Sequence, residues 1–389
     1  MAHLAQMKQA APAQAEMRIP VARPKLPDAA TILPYLERID EARWYSNFGP
    51  LVGELEQRLA MRLGEQVGVC TAANATVALA LALKAMELEP GGLVALPAWT
   101  FVASAHAVIQ AGLVPWFVDV DPETWMLRPE TVEAALVRAP GPVAAVMPVS
   151  AFGAIPDLAS WRAFRDSTGV KVLVDAAAAF DGLAEADPPV CVSLHATKVL
   201  GVGEGGFLAT TDQELLERFR RLTVFGFTGA RESVTPSSNA KLSEYAAAVG
   251  LAGLDDWASE RLRYLRTGQK LRIALLPQPQ VRFQAGWGRD WISSVCVVSL
   301  PEGSAASVEA ALAEAGVETR RWWGDGCHRS AAFAECPRDH LPVTDALAAS
   351  TLGLPFAVDL PDDAMERIAA ALGSALARKE GALVRQGLA

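Results

Sequence analysis

Residues 189–210 read PVCVSLHATKVLGVGEGGFLAT, with a lysine at position 198 and glycines at positions 201, 203, 205 and 206. The runs Pro189–Leu194 and Gly206–Thr210 are apolar almost throughout, as strands are when helices cover both faces of a sheet. Glycine allows the sharp backbone turn that must join them. The stretch therefore predicts two buried strands joined by a tight turn that carries Lys198.

Similar apolar runs alternate with amphipathic stretches from about Leu88 to Asp212. Further strands are predicted at Leu93–Pro97, Val114–Val120, Pro142–Val149 and Val170–Asp175, and helices at Val77–Met86, Asp157–Phe164 and Gln213–Thr223. Alternating strands and helices are typical of βαβ units. We expect an α/β fold with a mostly parallel central sheet covered by helices.

The pattern changes after Trp257. A charged helix at Ser259–Leu275, a strand at Ile292–Leu300 and a helix at Ala305–Ala315 predict a smaller α+β domain. We expect a flexible N-terminal arm at residues 1–16, a large α/β domain at residues 17–257 and a small C-terminal α+β domain at residues 258–389.

Composition excludes several classes of protein. The 389 residues are 51% hydrophobic and 20% charged, which is typical of a globular chain. The net charge is −9 and no Lys/Arg block is present, which argues against nucleic acid or an anionic membrane as a partner. The most apolar stretch, Leu93–Val120, is interrupted by prolines and polar residues and does not predict a spanning helix.

The cysteines and histidines predict neither disulfides nor a metal site. Five cysteines, an odd number, show no C-x-x-C spacing, which favours a reducing compartment and a cytoplasmic protein. His328 and His340 have no metal-ligand spacing with the nearby cysteines.

Lys198 is the candidate nucleophile. An amine forms a Schiff base readily only when burial lowers its pKa, and the apolar residues around Lys198 provide such surroundings. The alternative is a solvated loop lysine, because most lysines are exposed.

The glycines from Gly201 to Gly206 also spell a formal G-x-G-x-x-G. A dinucleotide fingerprint must open a helix and be followed by an acidic residue about 20 positions on, and both features are missing here. The glycines are better explained by a tight turn beside a bound ligand.

Two other segments end in polar side chains near predicted strand ends. Asp175 closes the run Val172–Asp175 and could hold a ring nitrogen protonated in the crevice of the sheet, although an N-cap role explains it equally well. Asn74 and Thr76 precede a helix, where a phosphate could bind to the backbone amides, or where they could simply cap the helix.

Taken together, these segments resemble the pyridoxal-phosphate (PLP)-dependent sugar aminotransferases of the DegT/StrS family, which have the fold of the type I aspartate aminotransferase superfamily. The resemblance extends from about Tyr45 to Leu360. It is carried by YSNFGPLVGELEQRLA, PAWTFVASAHAVIQAGLVPWFVDVDPETW, VLVDAAAA, SLHATKVLGVGEGG, RLTVFGF, SSNAKLSEYAAAVGL and LPVTDALAASTLGLP. The S-x-H-A-T-K…G-E-G-G signature is highly specific.

The resemblance implies roles for the residues around the cofactor ring. Lys198 would form the internal aldimine with PLP and carry protons between substrate and cofactor. Asp175 would pair with the pyridine nitrogen and keep the ring cationic. Phe101 would stack on the ring face, with Trp99 as an alternative.

The resemblance also implies a phosphate site. Ser193 would bond the phosphate together with Asn74, with the backbone amides of Ala75 and Thr76 and with the Thr76 hydroxyl. Asn239 would reach the phosphate from a neighbouring subunit of a homodimer.

The sequence departs from the family pattern at two places. Ala178 stands where the family usually has Gln or His beside the phenolic oxygen of the cofactor, so water or another residue would hold that oxygen. Asn74-Ala-Thr76 stands where Ser-Gly-Thr is usual, but Thr76 is kept and Asn tolerates turn geometry.

The activity that the resemblance implies is transfer of an amino group from glutamate or glutamine to a keto sugar, nucleotide-linked or a cyclitol. Arg320 and Lys241 are candidate substrate-binding residues, although solvated surface positions explain them as well. The alternatives are a non-catalytic PLP-binding regulatory protein, a sugar dehydratase of the same fold, which would have His in place of Lys198, and a nicotinamide oxidoreductase.

Overall fold

The computed structural model describes residues 18–385. Its centre is a layer of eight short strands, whose bounds are β1 (Gly68–Ala72), β2 (Leu93–Pro97), β3 (Val114–Val118), β4 (Val143–Val146), β5 (Lys171–Val172), β6 (Val174–Asp175), β7 (Val190–Ser193) and β8 (Gly206–Thr210). Nearly every residue of these strands is buried, which explains why they are apolar along their whole length.

The strands lie in the order β3-β2-β4-β5 and β6-β7-β8-β1. β5 and β6 are consecutive strands separated only by Leu173, where the chain changes pairing partner. β5 pairs with β4, and β6 pairs with β7. All pairs are parallel except those of β8, which runs antiparallel to β7 and to β1. The predicted mostly parallel sheet is confirmed.

Helices cover this layer. They are α1 (Ala29–Ala42), α2 (Pro50–Leu63), α3 (Ala75–Ala85), α4 (Val102–Gln110), α5 (Pro129–Leu136), α6 (Leu158–Thr168), α7 (Gln213–Thr223) and α8 (Glu244–Asp255). Several begin at a side-chain cap, as in α3, where Asn74 accepts a hydrogen bond from the Val77 amide at 2.9 Å. Between α7 and α8 lies a short hairpin, β9 (Phe227–Thr228) and β10 (Ala230–Ser233).

The C-terminal part forms a second layer. An antiparallel sheet of β11 (Arg282–Phe283), β12 (Cys296–Ser299) and β13 (Thr351–Leu354) packs with α9 (Trp257–Ala274), α10 (Ala305–Glu314), α11 (Pro342–Ser350) and α12 (Asp362–Arg385). This is an α+β arrangement, as expected. The domain boundary at residues 257 and 258 stays a prediction, and the arm predicted at residues 1–16 lies outside the described residues.

Several predicted strands are longer than those observed. Pro142–Val149 is regular only at Val143–Val146, after which Val149 makes a single bridge to Asp175. Ile292–Leu300 is regular only at Cys296–Ser299, because the Ile292 amide donates to the Asp181 carboxylate at 3.1 Å instead of to a strand. Val114–Val120 ends at Val118.

The first described residues pack against the C-terminal layer. Ile19 forms a parallel bridge with Val317, and Ala22 forms one with Phe356. Among the helices of residues 18–385, none is both long and apolar enough to cross a membrane.

Candidate active site

A cavity of about 530 Å³ lies at the carboxyl ends of the central strands. Eight of the predicted site residues line it: Lys198, Asp175, Phe101, Ser193, Asn74, Ala75, Thr76 and Arg320. Asp175 ends β6, Ser193 ends β7, and the Asn74 segment follows β1. Open α/β sheets bind their ligands at this edge, where helices begin and side chains converge.

Asp175 is a buried carboxylate. Its Oδ2 accepts a hydrogen bond from Ser104 Oγ at 2.7 Å, and its Oδ1 accepts one from the Ala177 amide at 3.1 Å. Burial raises the pKa of the Asp175 carboxyl, and these hydrogen bonds and the charge of Lys198 oppose the rise. Asp175 lies at a strand end and does not cap a helix, so the alternative N-cap role is wrong.

Lys198 follows β7 in the turn predicted from the sequence. Its amine is enclosed by protein, and burial lowers its pKa, while the charge of Asp175 acts in the opposite sense. A lysine with a lowered pKa is nucleophilic near neutral pH. The alternative of a solvated loop lysine does not fit this position in the cavity.

The loop at Asn74–Thr76 and the start of β8 lie against each other. A Cβ atom at Gly206 would stand 2.6 Å from the Ala75 nitrogen, so only glycine permits this approach. Gly203 has φ = +98°, which also favours glycine. Gly206 begins strand β8 and no helix, so the formal G-x-G-x-x-G is not a dinucleotide fingerprint, as predicted.

Hydroxyl groups stand near the same loop. Ser193 is buried and its Oγ accepts from the His195 amide at 3.2 Å, which leaves its proton free to donate. The Thr76 hydroxyl makes no hydrogen bond within residues 18–385 and faces the cavity. Asn74 caps α3 and also lines the cavity, so its two predicted roles are compatible.

Phe101 and Trp99 have different surroundings. The Phe101 side chain is 56% exposed and lines the cavity, as a ring-stacking residue should. Trp99 is buried, edge-on to Trp323, and does not line the cavity. Phe101 is therefore the better placed of the two predicted stacking residues.

Part of the cavity lining is aromatic. Phe152 and Trp323 stack with ring centroids 3.9 Å apart, and Phe152 has φ = +55°, a strained conformation for a bulky residue. The Arg320 guanidinium lies 4.9 Å from the centroid of the Trp322 ring. Within residues 18–385 Arg320 has no carboxylate partner, so its charge is available to an anionic ligand.

Asn239 and Lys241 do not line this cavity. Lys241 Nζ donates to Asn239 Oδ1 and lies 5.0 Å from the centroid of the Phe225 ring. Both residues face outwards beside the β9–β10 hairpin, and their predicted contacts with cofactor and substrate stay predictions.

Ala178 lines the cavity, and its carbonyl oxygen packs close to Gly153, where a Cβ atom would stand 3.2 Å away. Sequence reasoning did not single out Ser104, Arg23, Tyr264 or Ser293. Ser104 contacts Asp175, and the other three line the cavity. Ser104 lies within a quoted motif, but nothing in that motif marks it as a partner of Asp175, and Arg23 precedes every periodic segment, so only their spatial positions reveal them.

No group of three or more His, Cys, Asp or Glu side chains in the described part of the chain is arranged to hold a metal ion. The predicted absence of a metal site stays a prediction.

The cavity suits a phosphorylated pyridine aldehyde. It combines a buried carboxylate for a ring nitrogen, an amine of lowered pKa, an exposed aromatic ring, and amides and hydroxyls at a helix N-terminus for a phosphate. This fold and this site define a PLP-dependent aminotransferase.

The chain belongs to the DegT/DnrJ/EryC1/StrS aminotransferase family, whose model matches residues 28–373. It is 31% identical to Protein Rv3402c of Mycobacterium tuberculosis, over 93% of this chain and 91% of that protein. It is 30% identical to the UDP-2-acetamido-2-deoxy-3-oxo-D-glucuronate aminotransferase of Pseudomonas aeruginosa, over 83% of this chain and 90% of that enzyme.

Among solved structures, DesI in the presence of its TDP-sugar product is similar, with a TM-score of 0.85 and 33% identity. The match covers 96% of this chain and 97% of DesI. The family resemblance, the fold and the cofactor inferred from the sequence are confirmed.

Proposed function

We propose that this enzyme transfers an amino group from glutamate or glutamine to a nucleotide-linked keto sugar, with PLP bound covalently at Lys198. The observation that carries the proposal is that the half-buried Lys198 and the buried Asp175 face one cavity together with the exposed ring of Phe101. PLP supplies an electron sink for the carbon from which the proton is removed.

In this proposal, the residues of the chain act at separate parts of the cofactor and substrate. Asp175 holds a proton on the pyridine nitrogen, and Phe101 covers one ring face. Ser193, Thr76, Asn74 and the amides of Ala75 and Thr76 bind the phosphate. Lys198 Nζ, once released, takes and returns a proton at the reacting carbon.

The acceptor is proposed to be nucleotide-linked because the named enzyme of P. aeruginosa and DesI both act on sugars attached to a nucleotide. Arg320 lines the cavity without a carboxylate partner among residues 18–385, and its guanidinium suits the diphosphate of such a sugar. Lys241 would contact the sugar nucleotide from the partner subunit. A dehydratase of the same fold would need His at position 198, so Lys198 favours the aminotransferase.

We propose that the enzyme acts as a homodimer with shared sites. Phe225 and Phe227 form one pair of exposed aromatic residues, and Tyr45 and Tyr245 form another. Asn239 is bonded to Lys241, which lies against the Phe225 ring. Exposed aromatic clusters mark protein interfaces, and a second subunit here would bring Asn239 to its partner's cofactor. Free thiols at all five cysteines support the predicted cytoplasmic location.

The test is the visible absorbance spectrum of the purified protein with PLP, before and after glutamate is added. We expect a band from lysine-bound cofactor that glutamate converts to the amine form. Lys198→Ala should lose the band, whereas Lys171→Met, which removes a lysine of the central sheet outside the cavity, should keep it.

Absence of the band in the wild-type protein would overturn the proposal. A band that neither glutamate nor glutamine discharges would exclude these two amino acids as donors.

A further inference from the structure

Two hydroxyl groups and the Asp175 carboxylate form a line of hydrogen bonds. Thr100 Oγ1 lies 2.9 Å from Ser104 Oγ, and Ser104 Oγ lies 2.7 Å from Asp175 Oδ2. All three side chains are buried. They are separated by up to 75 residues in the sequence and meet because α4 begins where β6 ends.

The hydrogen atoms in this line have only one consistent arrangement when Asp175 is ionised. A carboxylate only accepts, so Ser104 must donate its single hydroxyl proton to Asp175. The Ser104 oxygen is then an acceptor, and Thr100 donates to it at 2.9 Å in preference to the Phe101 carbonyl oxygen, which lies 3.5 Å away. Both hydroxyl dipoles therefore point towards the carboxylate, and each strengthens the next.

This arrangement matters because burial disfavours the ionised form of Asp175. Burial raises its pKa, and the hydrogen bond from Ser104 is the largest of the interactions that lower it again. Ser104 is in the first turn of α4, whose N-terminal end also favours a negative charge. A protonated Asp175 could not hold a proton on a ring nitrogen.

The segment from Thr100 to Ser104 is placed to act on the pyridine ring of PLP in two ways. Phe101, next to Thr100, presents its side chain to the cavity, and three residues later Ser104 reaches the carboxylate. The Ser104 amide donates to the Phe101 carbonyl at 3.2 Å, which fixes the two side chains relative to each other.

We propose that Thr100 and Ser104 are positioning residues that keep Asp175 ionised and oriented towards the ring nitrogen of PLP. The inference rests on the proposed function, because it assumes PLP in this cavity. It adds two residues that act through Asp175, Ser104 outside the cavity lining and Thr100 within it, and it predicts an effect on the electronic state of the bound cofactor.

The experiment titrates the visible band of the PLP-loaded protein with pH and measures PLP affinity. Loss of the Ser104 hydroxyl lowers the positive charge that Asp175 maintains on the ring nitrogen, so the proton on Lys198 Nζ, the nitrogen that joins Lys198 to the cofactor, is held more tightly. We expect Ser104→Ala to raise the midpoint of the titration by about one pH unit and to weaken PLP binding about tenfold. Ser104→Thr should restore both values.

A matched control is Ser350→Ala. Ser350 is also buried and donates to a carbonyl, that of Ala346, at 2.7 Å, but it lies outside the cavity. Its loss should lower stability and leave the titration unchanged. Thr100→Val should shift the midpoint in the same direction as Ser104→Ala, by less.

Wild-type values for midpoint and affinity in Ser104→Ala would overturn the inference, as would an equal shift in Ser350→Ala. If Ser104→Ala does not fold, the test is made with Thr100→Val. A pH midpoint of the visible band that is unshifted in Thr100→Val then overturns the inference. A wild-type protein without any band would instead overturn the proposed function, so the two failures are distinguishable.

Discussion

Replacing Gly206 with alanine tests the close packing between β8 and the loop proposed to bind phosphate. An added Cβ atom would stand 2.6 Å from the Ala75 nitrogen and 2.8 Å from the Ala75 Cα, and both of these are backbone atoms. Cβ atoms in proteins essentially never approach other atoms within 3.0 Å. The two segments must therefore separate by about 0.4 Å or more.

The cost follows from that separation. Overpacking of a well-packed region costs roughly 1–3 kcal/mol, and we expect Gly206→Ala to lower the free energy of unfolding by this amount. The same displacement moves the amides of Ala75 and Thr76, so PLP affinity should fall about tenfold.

The assays are urea unfolding of the cofactor-free protein and titration with PLP followed by absorbance. Gly53→Ala is the control, because Gly53 lies inside α2 with nothing within 4 Å of the added Cβ atom. Alanine there should raise stability by about 1 kcal/mol and leave PLP affinity unchanged. If Gly206→Ala matches the wild type in both assays, the packing argument and the proposed phosphate site are wrong together.

Three further predictions concern charge and assembly. The hydrogen bond from Ser160 lowers the pKa of Asp157 in the folded protein. The ionised carboxylate therefore stabilises the fold at pH values above its ordinary pKa of about 4, and this stabilisation is lost as the pH falls through the lower pKa of the folded state. Asp157→Asn keeps the helix cap but removes the charge. The difference in unfolding free energy between this variant and the wild type, measured by urea unfolding, should become smaller as the pH falls, and a constant difference would contradict the prediction. An equal mixture of Lys198→Ala and Asn239→Ala subunits should regain about one quarter of wild-type activity if Asn239 acts on its partner's site, and none if it acts on its own. Arg320→Met should raise KM for a nucleotide-linked acceptor about tenfold without changing the half-reaction with glutamate; an unchanged KM would exclude Arg320 from the acceptor site.

The sequence predicted best those elements that are set by local pattern. β2, β8 and α7 have the predicted bounds, because the two strands are apolar throughout and α7 begins at the Asp212 cap. α1 was not predicted, and it contains Pro34, which ordinarily argues against a helix. At Ile292 an apolar pattern was misleading because a distant carboxylate, Asp181, takes the amide that a strand would have used.

Four of the residues predicted from motifs lie together, whereas Asn239 and Lys241, which also lie in a motif, do not line the cavity. Lys198, Asp175, Phe101 and Ser193 line one cavity. The contact between Ser104 and Asp175 spans 71 residues, and no local pattern reveals it. Interactions of this kind depend on how helices are placed on the sheet, which single-sequence periodicity does not specify.

The bridges of Ile19 and Ala22 have a consequence for protein engineering. Ala22, Arg23 and Pro24 form part of the cavity wall although they precede the first helix. A shortened chain that starts at Asp28 would retain every helix and every strand of the central sheet and yet have a wider entrance to the cavity. Trimming would thus remove the buried side chains of Ile19 and Val21 and also change which molecules enter, so affinity tags are better fused upstream of Ile19 than in place of this segment.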